Sequence, residues 1–285
     1  MRTNTQKWLI VAALLVTIGA VLFAGAMTAY HWDFTRLSTG HFETNTYETS
    51  EEFSNIKMNT ATGDVLFAAS SDNICRVVCC EEEMKCSVGV QDGTLSVDII
   101  DDRAWYEHIG VILRSPKVTV YLPEAEYTSL VIKESTGDIR VNNMTVGTLG
   151  LSSSTGEIIV SDVTCTGDMT ASVSTGEVKM ANVTCRNLFS RGSTGDIYFK
   201  NVRAAEKLSV ERSTGDLVFD SSDAAEIFVK TSTGDVIGSL LSEKVFITES
   251  STGDVDVPKT TAGGKCEIIT STGDIRIEIS DGADE

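Results

Sequence analysis

The sequence predicts an all-β protein, a parallel β-helix or β-solenoid with about 19–20 residues per coil, preceded by one N-terminal transmembrane helix. Three observations predict it. A phrase of Ser-Thr-Gly followed by Asp or Glu recurs eight times through the second half of the chain. Each phrase lies between short segments in which apolar and polar residues alternate. Ahead of them all, Trp8 to Met27 run without a charge.

The apolar run comes first. Twenty residues at about 1.5 Å rise cover the roughly 30 Å hydrocarbon core of a bilayer. Arg2 and Lys7 precede it, and no acid occurs before Asp33. The positive-inside rule therefore assigns residues 1–7 to a cytoplasmic tail, 8–29 to a single membrane anchor, and the remainder to the outside. Ala24-Gly25-Ala26 has the small-x-small form of a cleavage site, so a removed signal peptide is the competing reading. Both readings export the rest of the chain. Residues 30–50 are polar, show no clear apolar period, and read as a linker.

Charge narrows the partners. The 285 residues carry 23 Lys+Arg against 41 Asp+Glu, and the first acid comes after the anchor. Such a surface does not suit phosphates, which argues against nucleic acid, and it would be held off an anionic bilayer. A cationic partner fits the field better. The spacing of Cys75, Cys79, Cys80, Cys86, Cys165, Cys185 and Cys266 matches no zinc pattern. Their odd number rules out a fully paired disulfide framework, so most read as buried small hydrophobes. Cys75 with Cys86 is the expected bridge in an oxidising compartment.

The repeat runs from residue 135 to 280. Its acids are Asp138, Glu157, Glu177, Asp196, Asp216, Asp235, Asp254 and Asp274, 19 or 20 residues apart. Apolar residues recur eight and six positions before each acid and directly after it, as in Leu149/Leu151 and Ile158/Val160; a further one recurs six positions after, as at Val163 and Val183. Short strands separated by polar turns leave no room for a helix, and such coils bury their inward side chains only by stacking on one another. Stacking at about 4.8 Å would also set Cys165 beside Cys185, as two thiols rather than a bridge. Glycine supplies the left-handed corner, and Ser and Thr hydroxyls are expected to bond turn amides.

Residues 51–134 read as irregular capping coils of the same plan. Ile56 and Met58 precede Asp64 as the repeat requires, and Gln91-Asp92-Gly93-Thr94 reads as a hairpin turn. Residues 281–285 form an acidic tail that would discourage edge-to-edge pairing below the last coil.

With the Ser-Thr-Gly-Asp-Ile phrase and the Val120-Tyr-Leu-Pro123 strand, residues 51 to 279 resemble the bacterial putative-adhesin family, β-strand-repeat proteins built on a domain of unknown function. The resemblance implies a right-handed β-helix, an envelope location and, in some relatives, a link to envelope stress. It brings no catalytic residues.

The residues themselves assign no catalytic, cofactor-binding or metal site. Arg191, Arg203 and Arg212 fall mid-array without a recurring nucleophile beside them, and His31, His41 and His108 lie outside the repeats. A stacked acid column would repel itself by roughly 0.9 kcal/mol per neighbouring pair in water. Corner amides and hydroxyls would offset this, or Ca²⁺ bridging the carboxylates would. The predicted function is a non-catalytic, adhesin-like binding protein facing outward from the cell membrane, with an envelope component, a cationic peptide or a cell-surface ligand as its partner. The alternatives are a polysaccharide-active β-helix enzyme and an architectural spacer.

Overall fold

The computed structural model describes residues 2–29, 31–32, 42–82, 85–100 and 116–280. The N-terminal helix and the strands fall in separate compact units.

The helix is Arg2–Ala29. Its stretch Gln6–Ala29 is long and apolar enough to cross a membrane. Trp8, Leu9, Ile10, Leu15 and Val16 are exposed along it. Thr17 and Thr28 donate their hydroxyls to the carbonyls of Ala13 and Ala24 (2.8 and 2.7 Å), so neither hydroxyl needs water.

The strands stack in parallel with a register of 19 or 20 residues. Ile139 pairs with Ile158, Ile158 with Val178, Val178 with Ile197, Ile197 with Leu217, and Leu217 with Val236. Strand alternation turns the apolar positions inward, and the core runs through the coils as columns such as Leu149, Met169, Leu188, Leu208 and Ile227. A further inward column, four residues before each acid, is largely polar. Thr60, Glu134, Ser153, Arg212, Thr231 and Thr270 are all buried there. The hydroxyls of Thr60, Ser153 and Thr231 each donate to the carbonyl two residues on, which satisfies both groups.

At both ends the spatial order of the coils departs from chain order. Asn55–Thr62 is flanked by Thr94–Ile100 on one side and Glu126–Thr136 on the other. Asp64 therefore stands one coil from Asp138 despite the 74 residues between them. At the other end Gly264–Thr272 lies between Leu217–Thr233 and Lys244–Thr252. The final strand, Ile275–Ile279, is thus internal, not the lower end of the stack, and the outer coil is the one that carries Asp254. The acidic tail expected to guard the lower edge lies outside the described residues.

Two more expectations are corrected here. The linker assigned to residues 30–50 contains a strand, Phe42–Thr49, which pairs antiparallel with Cys75–Glu82. Its residues are mostly polar, and Tyr47 packs against the core from it. That pairing, with Cys75–Glu82 on Lys117–Leu122 and Lys85–Gln91 on Thr94–Ile100, covers the edge of the first coil. The second correction concerns Cys86, which lies beside Cys79 rather than Cys75. Cys75 is four residues along the strand from Cys79, about 13 Å at strand rise, beyond the reach of a bridge to the same partner.

Candidate functional site

Three features outside the core carry chemistry: the acid column, a second column of amides, and a cleft where that second column begins.

Six carboxylates of the acid column are tied to backbone amides of the neighbouring coil. Asp64 accepts from the Asp138 amide (3.2 Å), Asp138 from Glu157 (2.9 Å), and Asp196 from Asp216 (2.8 Å). Asp216, Asp235 and Asp274 accept from Asp235, Asp274 and Asp254 in turn, each at 2.8 Å. The two glutamates instead share Lys179, whose Nζ lies 3.2 Å from Glu157 and 2.5 Å from Glu177. Those two contacts raise the lysine's pKa. Arg140 and Arg276 lie 2.7 and 2.6 Å from the outer oxygens of Asp138 and Asp274. Amides and scattered cations therefore carry the offset that repulsion demands. The hydroxyls of the Ser-Thr-Gly phrase, expected to do so, do not bond these amides; the neighbouring carboxylate reaches them first.

Beneath this corner lie the two charged members of the polar inward column. Both carboxylate oxygens of Glu134 are buried without a hydrogen-bond partner. Burial, followed by the nearby Asp64 and Asp138, pushes its pKa up to about 8. Arg212 donates Nη1 to the Val173 carbonyl two coils away at 3.0 Å, over Gly192, whose missing side chain leaves the passage open. Burial lowers the Arg212 pKa. Arg191 faces Glu211 at 3.5 Å, and Arg203 stands in register with Asp223. The three arginines noted in the sequence thus face different partners and do not converge. His31 lies in the helical unit, and His41 and His108 lie outside the described residues.

The second column lies five residues after Asp138, Glu157, Glu177, Asp196 and Asp216. Asn143, Asp162, Asn182, Asn201 and Ser221 all adopt a left-handed backbone, with φ from 50° to 55°. Asn182 donates to Asp162 (2.8 Å) and Asn201 donates to Asn182 (3.1 Å), one amide per coil. Sequence reading missed this column, although Asn or Asp at one fixed offset from the acid was its available signal.

Where the column begins, a cleft of about 640 Å³ opens beside the turn after Lys117–Leu122. Pro123 ends that strand. Tyr127, buried and stacked on Phe53, donates its hydroxyl to the Pro123 carbonyl at 2.8 Å and pins the turn. The turn presents Glu124 and Glu126, exposed and without an ion-pair partner among the described residues. Asp162, Asn142, Asn143 and half-buried Met144 also line the cleft. Among the described residues, no lysine or arginine lines the cleft. It presents three carboxylates and a small apolar contact, which is the complement of a cationic side chain with an aliphatic stem.

Residues 53–168 and 166–284 each match the family model described as Toastrack DUF4097. The junction between the two matches falls inside the regular array, where Asp168–Thr175 pairs with coils on both sides. No curated protein matches the chain. Among solved structures, a putative adhesin from Bacteroides fragilis is 18% identical with a TM-score of 0.53, over 84% of this chain and 97% of that one. That likeness shows a shared fold. A putative adhesin from Parabacteroides merdae is 13% identical with a TM-score of 0.35, over 85% of this chain and 98% of that one. A putative lipid binding protein from Parabacteroides distasonis is 14% identical with a TM-score of 0.41, over 84% of this chain and 98% of that one.

Proposed function

The chain belongs to the Toastrack DUF4097 family, and from that premise we propose a non-catalytic, adhesin-like protein, anchored by its N-terminal helix, that displays an anionic solenoid outside the cell and binds a cationic ligand. The observation that carries the reading is the cleft lined by the carboxylates of Glu124, Glu126 and Asp162, with no compensating base among the described residues. The excess of 41 acids over 23 bases extends the same attraction over the whole surface and would steer a cationic peptide or envelope component towards it.

The test uses the full chain in detergent and short Lys/Arg peptides as the probe. Binding should weaken at least about 10-fold in Glu124→Gln/Glu126→Gln/Asp162→Asn, and weaken with added salt in the parent. Equal affinity of parent and variant would remove the cleft from the reading. Depolymerisation of an envelope glycan by the parent would replace it with the enzyme.

A further inference from the structure

We infer that Cys79 and Cys86 form a disulfide that fastens together the two strands covering the first coil. The Sγ atoms lie 2.6 Å apart, closer than two unbonded sulfurs pack. The pairing follows from strand geometry. Cys75, Val77 and Cys79 share the inward face of Cys75–Glu82, while Cys80 points to the other face. Cys86, Val88 and Val90 share the face of Lys85–Gln91 that packs on the core. Cys79 and Cys86 therefore meet on facing inner surfaces, while Cys75, on the same face as Cys79, lies four residues farther along the strand.

The bond has a place in the fold. Cys75–Glu82 covers Lys117–Leu122, and Lys85–Gln91 covers Thr94–Ile100. Joining the two covers across the end of the stack holds both over an otherwise bare parallel edge. The chemistry is thiol–disulfide exchange with a small-molecule or protein disulfide of an oxidising compartment. The half-buried Cys86, as thiolate, attacks the external disulfide and releases one thiol. The Cys79 thiolate then displaces the second from the mixed disulfide. One external S–S bond is exchanged for the Cys79–Cys86 bond, and the two protons and two electrons leave on the external thiols. Cys75, Cys165, Cys185 and Cys266 are buried in single coils, and burial pushes their thiols up, to about 11 for Cys75 and about 12 for Cys185 and Cys266. They stay reduced.

The inference rests on the exported reading for its oxidant, so the experiment separates the two. Free thiols are blocked with N-ethylmaleimide in intact cells, and the full chain is isolated and digested with trypsin without reduction. Cleavage after Lys57, Arg76, Lys85 and Arg103 places Cys79 in residues 77–85 and Cys86 in residues 86–103. The expected product is those two peptides linked, two hydrogens lighter than their sum. The link should survive Cys80→Ser and vanish in Cys79→Ser. Reductant should lower the parent's Tm by roughly 5–10 °C and leave Cys79→Ser unmoved. A second sample, purified in detergent, is treated with oxidised glutathione, and external protease on intact cells reads topology. A link from residues 58–76, or one that persists in Cys79→Ser, overturns the pairing. Blocked thiols in an externally accessible chain, with no link after glutathione, overturn it as well. A protected chain that forms the link only with glutathione upholds the pairing and overturns export.

Discussion

In the five coils that carry both, the two corners bend the backbone in the same sense, yet only one of them is written strictly in the sequence. At the Ser-Thr-Gly corner the glycines have φ from 123° to 147°, a region closed to side chains. A Cβ at Gly215 would also meet the carbonyl oxygen of Gly195 at 2.1 Å. Sterics and close stacking both exclude any other residue, so the motif repeats almost unchanged. At the second corner φ stays between 50° and 55°, the ordinary left-handed well, where Asn and Asp are tolerated and Ser221 also fits. The strictness of a repeat position thus measures how forbidden its backbone is, not how much chemistry it performs.

The largest effect that would break this comparison is at Gly215. Gly215→Val should cost at least about 3 kcal/mol or prevent folding, read by thermal or urea melts. A parental melt would show that the corner tolerates a side chain and that the register built on it is wrong.

Glu134, beneath the same corner, comes next. Its folded pKa of about 8 lies above the unfolded value near 4.5, so the folded state holds the proton longer. Stability should therefore fall as pH rises from about 4.5 to about 8, by an amount on the order of 5 kcal/mol, and level off above. Glu134→Gln should flatten that segment of the Tm-against-pH curve and stabilise the protein at pH 8. A slope retained in the variant would assign it to other groups.

The second corner should be gentler. Asn182→Ala loses both ladder bonds and the residue type best suited to φ 54°, for about 1–1.5 kcal/mol. Asn182→Gly should recover part of this by relieving the backbone. A larger loss with Gly than with Ala would put the ladder bonds, not φ, in control.

The smallest effect is at the acid itself. In Asp216→Asn the side-chain oxygen still accepts the Asp235 amide while repulsion along the column falls, so stability should change by no more than about 0.5 kcal/mol. Ca²⁺ and chelator should leave the melts of parent and variant superimposed. A Ca²⁺-dependent rise in the parent alone would make the column a cation site.

The inward positions were legible because burial on a strand enforces period two. Ile158, Val160 and Val163 come after Glu157 at the offsets that recur throughout. The polar column through Ser153, Arg212 and Thr231 was not, because hydroxyls and charges in a strand read as outward-facing until a carbonyl is seen to receive them. The cleft was equally hidden. Glu124 and Glu126 look like any solvated acids, and only stacking brings Asp162 and Asn143 into the same cleft.

By itself the sequence determined the all-β class, the length of the coil, the identity of its inward residues and the glycine corner, since each follows from local sterics or from strand alternation. Tertiary structure alone decided the order of the coils. Every coil offers its neighbours nearly the same face, so register cannot distinguish one stacking order from another, and burial of whole coils decides. The coil with Cys266, Ile268, Ile275 and Ile277 pointing inward is enclosed between two others. The coil with Thr248 at the inward position that Ile268 fills is left outermost, where its hydroxyl loses least and Phe246 and Val257 remain half-buried.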